Sequence, residues 1–90
     1  MQASPEFLTF GRWFIQDIDR IAPTLDEMYD FVLGHFRGEE RVRLQHFIDQ
    51  ALREASDEML EQLWNKTEAD IYFHTAQDLR GFLTGARDRL

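Results

Sequence analysis

Three histidines, two serines, seventeen carboxylates and no cysteine make up most of the reactive inventory of this chain. Zinc would need a His-Glu-x-x-His pair or cysteine pairs, and neither occurs. His35 and Glu39 stand four apart, but Gly38 lies between them, so His35, His46 and His74 read as surface or half-buried side chains. Asp17-x-Asp19 opens like a calcium loop. The sixth position should then be glycine and the twelfth an acid; here they are Ala22 and Met28. Ser4 and Ser56 both stand where a helix begins, which makes them caps rather than nucleophiles. Gly11, Gly34, Gly38, Gly81 and Gly85 are too scattered to form a phosphate loop. The carboxylates are many, but none has an obviously apolar setting that would split a pair of pKa values. The expectation is a protein without catalytic residues, metal or cofactor.

What remains is the placement of charge. Ninety residues with ten basic side chains carry a net charge of -7. That balance disfavours direct nucleic-acid binding, which needs a Lys/Arg excess, and docking on anionic membranes. Residues 1–38 are net -3, residues 39–53 are balanced, and residues 79–90 are net +2. Residues 54–78 are net -6: Glu54, Asp57, Glu58, Glu61, Glu68, Asp70 and Asp78 face Lys66 alone. Tyr72 and Phe73 adjoin Asp70 in the same stretch. Acids around an aromatic anchor suit a protein interface, because the charge speeds encounter and the ring supplies a desolvated contact. The competing reading is that the acids form a solvated helix face while Ile71 and Phe73 plug the core. Tyr72 favours a wet edge because of its hydroxyl.

The elements that would hold these residues read as helix after helix. Ser4-Pro5 is a start signal. The segment Phe7 to Ile21 is too densely apolar for one stripe, so a first helix to about Trp13 and a bend or short turn to Ile21 are expected, with Pro23 as the stop. Thr24-x-x-Glu27 is a capping box. The next stripe is Leu25, Met28, Tyr29, Val32, Leu33 and Phe36, with Gly38 as terminator. Glu39 and Glu40 open a helix with Leu44, Phe47, Ile48, Ala51, Leu52 and Ala55 inward. Ser56 starts a short helix with Met59, Leu60, Leu63 and Trp64, running to about Lys66. Thr67 to His74 breaks the pattern, and Ile71-Tyr72-Phe73 is locally strand-like. Thr75 caps a last helix with Leu79, Phe82, Leu83, Ala86 and Leu90. No repeat or linker interrupts the chain, so the expected architecture is a single domain over 1–90, an all-α bundle of four to five short helices. The longest stretch without Asp, Glu, Lys or Arg is Ile71 to Gln77, too short to span a bilayer. Met1–Glu6 has no basic, then apolar, leader pattern, and no disulfide is possible; a cytoplasmic location is expected.

The run Gly11-Arg12-Trp13-Phe14-Ile15-Gln16-Asp17-Ile18-Asp19 resembles the aromatic-Phe-x-Gln-Asp-x-Asp segment near the start of small immunity proteins from contact-dependent growth inhibition systems. Asp70-Ile71-Tyr72-Phe73, followed by Leu79-Arg80-x-Phe82-Leu83, is similar to their aromatic loop and final helix. It is also similar to the acidic, aromatic loop of nuclease-colicin immunity proteins. Ile15 and Ile18 replace the His and Trp of many relatives, and Tyr72-Phe73-His74 replaces two tyrosines and a proline. The resemblance implies a cytoplasmic helical inhibitor that binds and blocks the C-terminal toxin domain of a delivered effector; the acidic surface suits a basic nuclease as that toxin, and a monomer in a one-to-one complex is expected. By that carry-over Asp70, Tyr72 and Phe73 touch the toxin. Asp57, Glu58, Glu61 and Glu68 join them from the charge distribution. Trp13, Phe14, Gln16 and Asp17 read either as packing and bend residues or as toxin contacts. The alternative class is an acidic helical adaptor or regulatory module for another basic protein.

Overall fold

Each hydroxyl expected to cap a helix start does so. In a computed structural model describing all residues Met1–Leu90, the hydroxyls of Ser4, Thr24, Ser56 and Thr75 accept from the backbone N–H three residues on, at 3.1 to 3.2 Å. Such a cap satisfies a donor that the first helical turn leaves free, and contributes about 1 kcal/mol. Glu27 leaves its half of the capping box unmade and stays in solvent. The helices these residues start are α1 (Pro5–Arg12), α3 (Leu25–Leu33), α5 (Asp57–Lys66) and α6 (Ala76–Arg89). Between them lie α2 (Ile18–Ile21), which is the expected short turn, and α4 (Glu39–Glu54). There is no strand, and no helix is long and apolar enough to cross a membrane.

The helices pack because their stripes converge. α4 lies against α6 and α1, and α5 against α6. Phe7, Phe10, Phe14, Trp64 and Phe82 form the centre, with Phe14 and Phe82 rings 5.1 Å apart and Trp64 and Phe82 5.5 Å apart. Burying each such ring is worth about 1.5–3 kcal/mol, so this cluster dominates the stability of a chain with no disulfide. Tyr29 is a core residue whose hydroxyl meets the backbone of α6. It donates to the Phe82 carbonyl at 2.6 Å, and the Arg89 guanidinium lies 4.4 Å from its ring centre. No buried side-chain polar atom lacks a partner.

Two arginines close helix ends. Arg41 donates to the carbonyls of Leu33 and Arg89, both at 2.9 Å. Arg80 donates to Leu52 at 3.1 Å and Ala55 at 2.7 Å, and to the Asp57 carboxylate at 2.7 Å. The C-terminal carbonyls of a helix have no partner of their own and carry negative partial charge, so a guanidinium there is stabilising.

Besides Glu27, several details differ from the sequence reading, among them Met59, which is exposed although its spacing groups it with Leu60, Leu63 and Trp64. The third helix stops at Leu33 rather than running through Phe36. His35 and Phe36 donate back three residues instead of four, so the last turn tightens and ends. Gly38 therefore does not terminate that helix. It sits at φ +57° and begins α4, in a backbone region that glycine enters without steric penalty. Finally, Leu25 is 52% exposed, although its spacing placed it in the core stripe. It is the first residue of α3, where the chain has not yet turned onto the core.

Candidate functional site

The stretch from Thr67 to Thr75 is held by buried bonds at one end and by helix α6 at the other. Thr67 is fully buried. Its hydroxyl donates to the Trp64 carbonyl at 2.7 Å and accepts from the Ala69 N–H at 3.2 Å. Gly11 of α1 presses on it so closely that a Cβ there would lie 2.2 Å from the Thr67 Cβ and Oγ1. Glu68 follows at φ +60°, the only non-glycine residue with positive φ.

Asp70 then ties the stretch to the end of α1. Its N–H donates to the Phe14 carbonyl at 2.9 Å, and its carboxylate accepts from the Gln16 N–H at 3.1 Å. The two segments that carry the family resemblance thus meet in space. Gln16 serves through its backbone, while Asp17 makes a long contact to Arg20 at 4.0 Å in solvent. Phe14 is in the core, and Trp13 stacks on His35 at 3.6 Å with Phe31 edge-on. His35 is therefore a partner of Trp13, not of Glu39.

Beyond Asp70, the indole N–H of Trp64 donates to the Ile71 carbonyl at 3.1 Å. Ile71 and Phe73 turn inward and Tyr72 turns outward, the in–out–in pattern of extended chain, with no partner strand. Phe73 lies 4.9 Å from the Phe82 ring and 5.8 Å from Trp64, half-buried. Tyr72 is 79% exposed, the largest exposure among the large apolar side chains.

Tyr72 and Phe73 form a ridge between two shallow clefts. One, of about 200 Å³, is lined by Glu61, Trp64, Asn65 and Leu79 besides the ridge. The other, of about 410 Å³, is lined by Leu25, His74, Gln77, Asp78, Gly81 and Phe82. Each cleft has one acid at its edge, and neither is lined by an arginine or lysine.

The acids expected to make the surface divide by environment. Glu58, Glu61 and Glu68 are exposed and in no ion pair, and Glu61 lines the first cleft one turn along α5 from Glu58. Asp57 is bonded to Arg80, and Asp70 is occupied by Gln16. Asp78, counted among the acids but not among the candidate contacts, lines the second cleft in no ion pair. With Leu25 and Asn65 it was missed as a site residue. The available signal for Asp78 was its place in the first turn after the aromatic stretch.

Elsewhere some charged groups are matched, while Asp19, Glu27, Asp30 and Glu40 are, like Glu58, Glu61 and Glu68, in no ion pair. In the cleft between α4 and α6, Asp49 pairs with Arg53 at 2.6 Å and Arg87 at 3.3 Å, beside His46. No group of three or more His, Asp or Glu side chains is placed to hold a metal ion. Tyr29 has a raised pKa, caused first by burial, eased by Arg89 and increased by Asp26. Comparison with protein-family models, curated proteins and solved structures finds no match.

Proposed function

We propose that this chain is an immunity-type inhibitor: a non-catalytic cytoplasmic monomer that binds the toxin domain of a delivered effector, a basic nuclease, one to one. The observation that carries the reading is Tyr72, held out in water on a backbone fixed by Asp70 and Ile71, between acids that have no basic partner. A cationic domain approaching this face meets Glu61, Glu58, Glu68 and Asp78 first, which steers encounter. The ring then supplies the desolvated contact. A tyrosine buries about 150–250 Å² when fully covered, and most of that is free at Tyr72. At about 25 cal/mol per Å² the gross gain is about 3–5 kcal/mol, of which ordering and desolvation leave about 2. Phe73 backs the ring from the core rather than leading the contact. Asp57 and Asp70 act through the fold, one on Arg80 and the other on the α1 end. An adaptor for another basic protein would use the same face and would differ only in the partner.

The test is calorimetric titration with the C-terminal domain encoded directly upstream of this chain, together with growth rescue from that domain. Tight one-to-one binding is expected, with Tyr72→Ala weakening it by about 2 kcal/mol, roughly thirtyfold. Unchanged affinity on a folded Tyr72→Ala variant removes the residue from the contact.

A further inference from the structure

Four of the five glycines have a reason inside the fold. Gly11 gives way to Thr67 and Gly85 to the Tyr29 hydroxyl, where a Cβ would lie at 2.2 and 2.6 Å. At Gly34 a Cβ would lie 3.0 Å from the Asp30 carbonyl oxygen, and Gly38 needs its positive φ. Gly81 has none of these. It lies inside α6, exposed, and a Cβ there would meet nothing within 4 Å. Glycine in a helix interior weakens the helix relative to alanine, so this position gives up stability without an internal return.

Its surroundings supply the return. Gly81 lies in the larger cleft, whose apolar lining is Leu25, Tyr72, Phe73 and Phe82 and whose only charged lining residue is Asp78. Leu25, though exposed, makes one wall. We propose that the cleft over Gly81 is a socket for an arginine side chain of the partner. The aliphatic stem lies along Leu25 and Phe73, the guanidinium reaches the Asp78 carboxylate, and the Tyr72 face covers it. Arginine suits this lining better than lysine, because its planar head both forks onto a carboxylate and stacks on an aromatic ring. The socket rests on the reading above, that the partner is a cationic protein.

The experiment is NMR of the backbone amides of the full chain, titrated with a short capped peptide of alternating arginine and leucine. Lysine–leucine and glutamate–leucine peptides serve as controls. Saturable movement of the Gly81 and Asp78 amides is expected with the arginine peptide, weaker movement with lysine and none with glutamate. Gly81→Leu fills the open space and improves helix propensity, so its melting temperature should rise. In that variant the Gln77 and Asp78 shifts should weaken by about tenfold. Equal binding by Gly81→Leu, or movement at Tyr72 with Gly81 and Asp78 still, overturns the socket and leaves the wider surface standing. If none of these amides moves while the upstream toxin domain binds, the socket alone is wrong. If that domain does not bind either, the proposed function falls with it.

Discussion

Replacing Gly11 with alanine tests the joint on which the aromatic stretch depends. The added Cβ would lie 2.2 Å from the Cβ and Oγ1 of Thr67 and 2.6 Å from its Cγ2. Carbon atoms rest about 3.5–4.0 Å apart, so α1 and the Thr67 turn must separate by more than an ångström. Overpacking of that kind costs about 1–3 kcal/mol. The shift also strains the two hydrogen bonds of the Thr67 hydroxyl, each worth about 1 kcal/mol net and more if its buried partner is left bare. Better helix propensity returns about 1 kcal/mol. The net loss is about 2–3 kcal/mol, or roughly 10–20 °C in Tm for a domain of this size. Urea unfolding of Gly11→Ala, Thr67→Gly and the double variant measures it. Thr67→Gly removes the obstructing atoms, so the two changes should couple by about 1 kcal/mol or more. The Gln16 and Asp70 amides should also shift in Gly11→Ala. A Tm equal to that of the unmutated protein, or strictly additive effects, would refute the close approach as a constraint.

Glu68 holds a left-handed conformation that disfavours L residues by about 1–2 kcal/mol; after the entropy of glycine, Glu68→Gly should raise stability by about 0.5–1 kcal/mol in urea melts, and a loss would contradict the strain. Tyr29 sets an alkaline limit. Below its ordinary pKa of 10.0 the hydroxyl is protonated whether folded or unfolded; above it the unfolded chain ionises first, so stability falls as pH rises until the folded pKa is passed. The fall should be steeper than in Tyr29→Phe, and parallel pH–stability curves would count against it. Neutralising Glu58, Glu61 and Asp78 together should slow association with the proposed toxin domain several-fold at low salt and flatten its salt dependence, with little change in Tm. Asp57→Asn should do the reverse, lowering Tm by loosening Arg80 and sparing the on-rate; a salt-insensitive on-rate in the unmutated protein would end the steering account.

Local chemistry was legible and long-range chemistry was not. The helix starts could be read because a cap depends on residues three apart, as at Ser4, Thr24, Ser56 and Thr75. The break at Thr67 and the stripes of α4, α5 and α6, Met59 excepted, followed from short-range spacing in the same way. Leu25 misled because spacing does not say where a helix first touches its neighbours. The end of α3 was missed because Gly34, not Gly38, meets the turn. The concentration of charge was visible, yet its meaning was set by contacts far apart in the chain. Asp57 finds Arg80 from the helix that seemed to balance it, and Asp70 finds Gln16. The resemblance had marked both Gln16 and Asp70, but nothing in their spacing said that one would bind the other.

The bonds around Tyr72 bear on how fast a complex can form. Fixing one residue's backbone takes about 1–2 kcal/mol of conformational entropy, and for Asp70 and Ile71 that was spent when the chain folded. A visitor therefore finds the two residues before Tyr72 already in place. Capture should proceed in a single kinetic phase that scales with concentration, without a slow rearrangement behind it. If the partner is the nuclease proposed above, readiness of that kind sets how much nucleic acid is cut before the enzyme is bound.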